Sequence, residues 1–99
     1  MTVSESISKK ISEEFKPIHF EVINESHLHH GPRTESHFKL ILVSEKFHKL
    51  SLVKRHKLVN KCLENEVQLI HALSLKLFTP EEWIVEKDQV ETSPKCPSK

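Results

Sequence analysis

At 99 residues, the chain has room for one domain with a modest core. Hydrophobic residues make up 36% and charged residues 29%, and no run approaches 18 consecutive apolar residues, which excludes a transmembrane helix. Fifteen Lys/Arg against fourteen Asp/Glu give a net charge of +1, which argues against a strongly basic nucleic-acid binder, and the single glycine, Gly31, excludes GxGxxG, Walker A and GxxG loops.

Ile7, Ile11 and Phe15 recur at i, i+4 and i+8, one stripe of a first helix that Pro17 ends. The N-terminal residues 1–16 have no apolar h-region and no Arg-rich, acid-free character, so no signal or transit peptide is expected there. Ile18 to Ser26 alternates Ile18, Phe20 and Val22 with polar His19 and Glu21, a half-buried strand. His27 to Ser36 holds Gly31 and Pro32 and no apolar period, so it reads as a loop. His37 to Ser44 is a second strand, expected to pair antiparallel with the first.

Ser51 caps a predicted second helix reaching about Glu66, with Leu52, Val59 and Leu63 on its inner face, widened by Val53 and Leu58. Leu69 to Phe78 reads as a third strand, with Leu69, His71, Leu73, Leu75 and Leu77 on one parity. Thr79-Pro80-Glu81-Glu82 is a capping box with proline at the first helical position, opening a last helix that carries Trp83. The order is αββαβα, an α+β fold with a small three-stranded sheet and helices on one face. The domain spans 1–87, and the proline- and serine-bearing tail 88–99 reads as disordered.

Two features stand out. Histidine is abundant, with eight residues and three of them at His27, His29 and His30. Charge is uneven: residues 39–61 carry a local +6, leaving −5 for the rest. Loop imidazoles can bind Zn, Cu, Ni or Fe, although no second Cys/His cluster sits nearby to complete four ligands. His71 interrupts a leucine parity. By pattern alone it is a core-edge histidine satisfied by a backbone carbonyl, and a ligand role requires the strand end to open beside the loop. Two histidines cannot close a tetrahedral site, but they can supply half of one, as in [2Fe-2S] centres where histidine replaces two thiolates on one iron.

Lys54, Arg55, His56, Lys57 and Lys61 form a basic helix that could grip phosphates or an acidic partner, or stand as a solvated face. The cysteines, Cys62 and Cys96, form neither a CxxC nor a disulfide framework, which points to a reducing compartment. Nothing in the spacing supports a catalytic Cys–His pair or paired carboxylates, so no enzymatic activity is expected.

Taken together, Ile23-Asn24-Glu25-Ser26, the histidine loop, Glu35-Ser36-His37-Phe38 and Val43-Ser44 resemble the first half of a BolA protein. Arg55-His56-Lys57-Leu58-Val59-Asn60, His71-Ala72-Leu73-Ser74-Leu75 and Thr79-Pro80-Glu81-Glu82-Trp83 resemble its second half. The resemblance covers about residues 5–84 and implies an αββαβα fold related to the class II KH domain. It also implies pairing with a monothiol glutaredoxin and a shared [2Fe-2S] cluster. That cluster would take thiolates from the glutaredoxin and its glutathione and histidines from this chain. The family's loop ligand falls on His29, with His27 and His30 as alternates, and the second on His71. No cofactor is expected in the isolated chain, which should be a monomer. The family's usual glycines before the second helix and third strand are replaced by Lys49 and Gln68-Leu69, so those turns must use other conformers.

The first functional reading is therefore an iron–sulfur adaptor without catalysis, for cluster assembly, delivery or iron sensing. A second is a DNA-binding regulator using the basic helix. A third is a zinc-buffering domain using His27, His29 and His30, disfavoured because the loop lacks a fixed scaffold. The expected location is cytoplasmic, or the mitochondrial matrix if the source is eukaryotic.

Overall fold

The computed structural model describes residues 2–26 and 36–87. The expectations placed on His27, His29, His30 and the tail 88–99 lie outside the described residues. The elements are α1 (Val3–Phe15), β1 (His19–Asn24), β2 (His37–Val43), a 3₁₀ turn (Glu45–Phe47), α2 (Leu52–Cys62), α3 (Glu64–Val67), β3 (Ala72–Phe78) and α4 (Pro80–Glu86).

Thr2 and Glu5 close a capping box at the start of α1, each side chain accepting the other's backbone N–H. Ile7, Ile11 and Phe15 are buried along one stripe, as their spacing predicts. The helix ends at Lys16, whose left-handed backbone (φ 44°) lets its N–H reach Ser12 O ahead of Pro17.

β1 and β2 pair antiparallel, and β3 adds parallel to the other side of β2, giving the order β1-β2-β3. A parallel neighbour needs a crossover, supplied here by α2 and α3. As the central strand, β2 is buried on both faces, and Phe38, Leu40, Ile41, Leu42 and Val43 are all inaccessible or nearly so. On one face, Phe20–Leu42–Leu77 and Val22–Leu40–Leu75 stand side by side across the three strands. They join Ile7, Ile11, Phe15, Phe47, Val59, Leu63 and Ile70 in a single core beneath α1 and α2.

The second helix departs from its predicted form. It breaks at Leu63 (φ −104°, ψ 21°), and Glu64–Val67 forms the separate α3. Its buried face is also rotated from the expected one. Val59 and Leu63 are buried, but Leu52 and Val53 are 60% and 64% exposed and Leu58 also faces water. Arg55 takes their place, only 6% exposed. The residues turned inward are thus Arg55, Val59, Leu63 and Glu66, each three or four apart, with a charge at either end.

The Glu66 charge reaches α1, where Ser6 and Lys10 both donate to its carboxylate. Burial alone would raise the Glu66 pKa, but these hydrogen bonds outweigh it and hold the group below its ordinary 4.5.

β3 begins at Ala72, three residues later than the parity predicts. Leu69 is exposed at 64%, while Ile70 turns into the core. Turn hydrogen bonds from Leu69 N–H to Glu66 O and from Ile70 N–H to Val67 O hold this approach off the strand. Ile18, likewise, lies outside β1 and is exposed. Lys49, where the resemblance implies a glycine, adopts φ 65°, so this turn keeps the left-handed conformer in which glycine is most at ease and does not switch to another as expected.

Candidate functional site

Two ends of the sheet carry charged or ligating side chains. At the end where β2 and β3 begin, the loop mouth is clamped by one buried hydroxyl. Ser26 Oγ accepts from the backbone N–H of Ser36 (2.7 Å) and of His37 (3.1 Å), while Ser26 N–H donates to Asn24 Oδ1 (2.9 Å). Ser26, of the Asn-Glu-Ser motif, is thereby tied directly to Ser36 and His37.

Ser36 also reaches the third strand. Its carbonyl accepts from His71 N–H (2.7 Å) and Ala72 N–H (3.1 Å). His71, the residue before β3, is exposed. No hydrogen bond is made to its ring among the described residues, so the core-edge histidine satisfied by a carbonyl is not what the structure contains. His71 therefore stands exposed at the start of β3, tied through its backbone to Ser36.

His37, on the neighbouring parallel strand, places its ring centroid 4.9 Å from that of His71, with the planes tilted by 36°. Its Nδ1 lies 2.9 Å from Ser36 Oγ, which donates or accepts according to the tautomer. His37 was not singled out from the sequence. The available signal was register: in a parallel pair, the residues that open adjacent strands become neighbours, and His37 is paired with Ala72. Among the described residues, no group of three or more His, Cys, Asp or Glu side chains could hold a metal ion.

The opposite end is closed. Arg55, expected on the exposed basic face, is instead buried. Its Nη1 and Nη2 hold the Glu82 carboxylate at 2.7 and 3.0 Å, Nε donates to Leu50 O (2.9 Å), and Nη1 also meets Leu77 O (3.3 Å). The guanidinium lies 5.9 Å from the Phe47 ring centroid. Burial is tolerated because a planar fork can satisfy two carbonyls and a carboxylate at once, which a lysine cannot. Hydrogen bonding from Arg55, assisted by the Thr79 cap, holds the Glu82 carboxyl below its ordinary 4.5. Trp83 stacks on His19 (5.1 Å) and touches Phe78 (5.4 Å), so α4 fastens the end of the sheet from its other face.

The basic face is accordingly narrower than predicted. Lys54, Lys57 and Lys61 are exposed along α2, and His56 is half-buried. Cys62 is half-buried, its thiol donating toward Lys10 O, and its pKa is pushed up by burial and by Glu14 and Glu66.

The BolA-like protein family model matches residues 11–82. The chain is 45% identical over 98 residues to the "DNA-binding transcriptional regulator BolA" of Haemophilus influenzae, spanning 97% of this chain and 95% of that one. The fold is similar to the solution structure of BolA1 from Mus musculus, with a TM-score of 0.83 and 35% identity, covering 97% of this chain and 79% of that one. It is also similar to BolA1 from Arabidopsis thaliana, with a TM-score of 0.78 and 32% identity, covering 83% and 96%. The architecture is thus that of a small α+β protein of the BolA fold. The chain belongs to the BolA-like protein family.

Proposed function

We propose that this chain is a non-enzymatic adaptor that shares a [2Fe-2S] cluster with a monothiol glutaredoxin, for cluster assembly, delivery or iron sensing. The observation that carries the reading is the exposed His71 imidazole, held at the loop mouth by Ser36 with no hydrogen bond to its ring among the described residues. The donor chemistry fits: imidazole is an accepted iron ligand in [2Fe-2S] centres where it replaces thiolate.

Chain connectivity supports His29 as the companion ligand. It stands three residues after Ser26, and three residues span at most about 11 Å. Ser26 is itself hydrogen-bonded to the strand end beside His71. With two imidazoles, this chain supplies half a ligand set, and thiolates from the glutaredoxin and its glutathione complete it. When bound, the cluster supplies a transferable iron–sulfur unit. This chain's part is to present the imidazoles and to bind the partner in a reducing compartment, the cytosol or the mitochondrial matrix.

The test is to mix the full chain with a monothiol glutaredoxin, iron, sulfide and glutathione, and to record visible absorption and circular dichroism. A spectrum distinct from that of the glutaredoxin homodimer, and lost in His71→Ala, is expected. A homodimer spectrum with no complex on a sizing column overturns the adaptor reading.

A second reading, DNA binding, draws on the name of the Haemophilus relative and on exposed Lys54, Lys57 and Lys61. It requires DNA affinity to fall steeply with salt, and the slope to shrink when these three lysines are replaced by glutamine. Arg55 is not part of this surface.

A further inference from the structure

We infer that His37 is a positioning residue for His71: its ring, oriented by Ser36, backs the His71 ring and limits the directions in which that imidazole can present its nitrogens. This rests on the adaptor reading above and concerns a residue that reading does not use.

An exposed imidazole on the surface turns about two side-chain bonds, and a ligand that must be ordered on binding loses that freedom. Metal-bound histidines are ordinarily held by a hydrogen bond to the second ring nitrogen. The His71 ring has no such bond among the described residues. What it has is the His37 ring at 4.9 Å, tilted by 36°.

His37 is suited to act as a backstop. It opens β2, it is half-buried, its backbone N–H is bonded to Ser26 Oγ, and its Nδ1 lies 2.9 Å from Ser36 Oγ. Ser36 meets both histidines, through its hydroxyl at the His37 ring and through its carbonyl at the His71 N–H. The backbone that carries one ring and the side chain that backs it are thus referred to the same residue. The contact depends on the ring as a surface, so a phenyl ring at position 37 should replace it.

The test compares the full-length wild type with His37→Ala, His37→Phe and Ser36→Ala in two arms. In the first, ¹⁵N-labelled isolated chains report the His71 ring nitrogens and side-chain rotamer by NMR, with the amide spectrum as the check on folding. In the second, each variant is assembled with monothiol glutaredoxin, iron, sulfide and glutathione, and the circular dichroism and the rate of cluster loss to a chelator are recorded.

His37→Ala should average the His71 rotamer and speed cluster loss about tenfold or more, the usual effect of removing a group that orients a metal ligand. His37→Phe should restore most of both readouts, and Ser36→Ala, which removes the Ser36 hydroxyl from the His37 ring while keeping the ring, should fall between. An unchanged His71 rotamer in both His37→Ala and Ser36→Ala overturns the inference. A His37→Phe variant as defective as His37→Ala also overturns it. If the wild type forms no complex with the glutaredoxin, the adaptor reading fails, while the isolated-chain spectra still decide the role of His37.

Discussion

The two ends of the parallel pair β2–β3 treat their polar side chains in opposite ways. Where the strands finish, Arg55 is buried and its guanidinium is matched by Glu82, Leu50 O and Leu77 O. Where they start, His71 is exposed, and its imidazole lies 4.9 Å from that of His37 with no hydrogen bond to its ring among the described residues. A buried charge left unpaired would be ruinous, so the closed end is saturated with partners. An exposed imidazole without hydrogen bonds is inexpensive in water, so the open end can keep coordinating capacity in reserve. One end holds the fold together, and the other is the end that the adaptor reading assigns to a partner.

The largest effect should follow from breaking the closed end. Arg55→Ala leaves the Leu77 carbonyl without its Arg55 donor and frees α4 from α2, and it should cost about 2–3 kcal/mol in urea unfolding. Arg55→Lys should recover little of that, because an ammonium cannot grip Glu82 in a bidentate fork or serve Leu50 O alongside it. A loss below about 1 kcal/mol would mean that the network contributes geometry rather than stability.

Acid should act next, and on the same logic. Glu82 and Glu66 both hold folded-state pKa values below the ordinary 4.5. A lowered carboxylate contributes stability that is fully present above its unfolded pKa and is lost as pH falls through the folded one. Stability should therefore stay level from neutral pH to about 5 and then decline. In Glu66→Gln and Glu82→Gln the decline should be shallower, as followed by urea midpoints at each pH.

Much of the fold was legible from local chemistry. The α1 stripe, the Ser51 cap and the Thr79–Glu82 capping box each depend on residues close in sequence, the antiparallel β1–β2 pair on two strands consecutive in the chain, and each is present. What escaped depends on distant partners. Pattern alone ranks Arg55 with its lysine neighbours. Its burial is explained only by Glu82, 27 residues on, and by carbonyls that the tertiary fold leaves vacant. His37 escaped because its nearness to His71 requires the parallel register of β2 and β3, which strand periodicity does not reveal. Leu52 and Val53 were assigned inward because they are apolar, yet they stand beyond the face that Arg55 and Val59 turn to the core.

The turn before α2 gives a smaller test of local strain. Lys49 holds φ 65°, where a side chain crowds the backbone. Lys49→Gly should stabilise the protein by about 1 kcal/mol, less the entropy that a glycine loses on folding. The gain should appear as a raised urea midpoint with an unchanged slope, since neither end of the sheet is touched.

The smallest effect on stability belongs to His71→Ala, and it sharpens the contrast most. The side chain is exposed, makes no hydrogen bond among the described residues and closes no part of the core, so its removal should change unfolding free energy by no more than about 0.5 kcal/mol. The same substitution should abolish the spectrum that distinguishes the mixed complex from the glutaredoxin homodimer. Arg55→Leu, which removes the charge but keeps apolar bulk, should behave in the opposite sense, losing stability while its remaining folded molecules still form the complex. If His71→Ala instead destabilised the fold by as much as Arg55→Ala, the open end would be structural after all, and the division of labour along β2–β3 would collapse into a single scaffold.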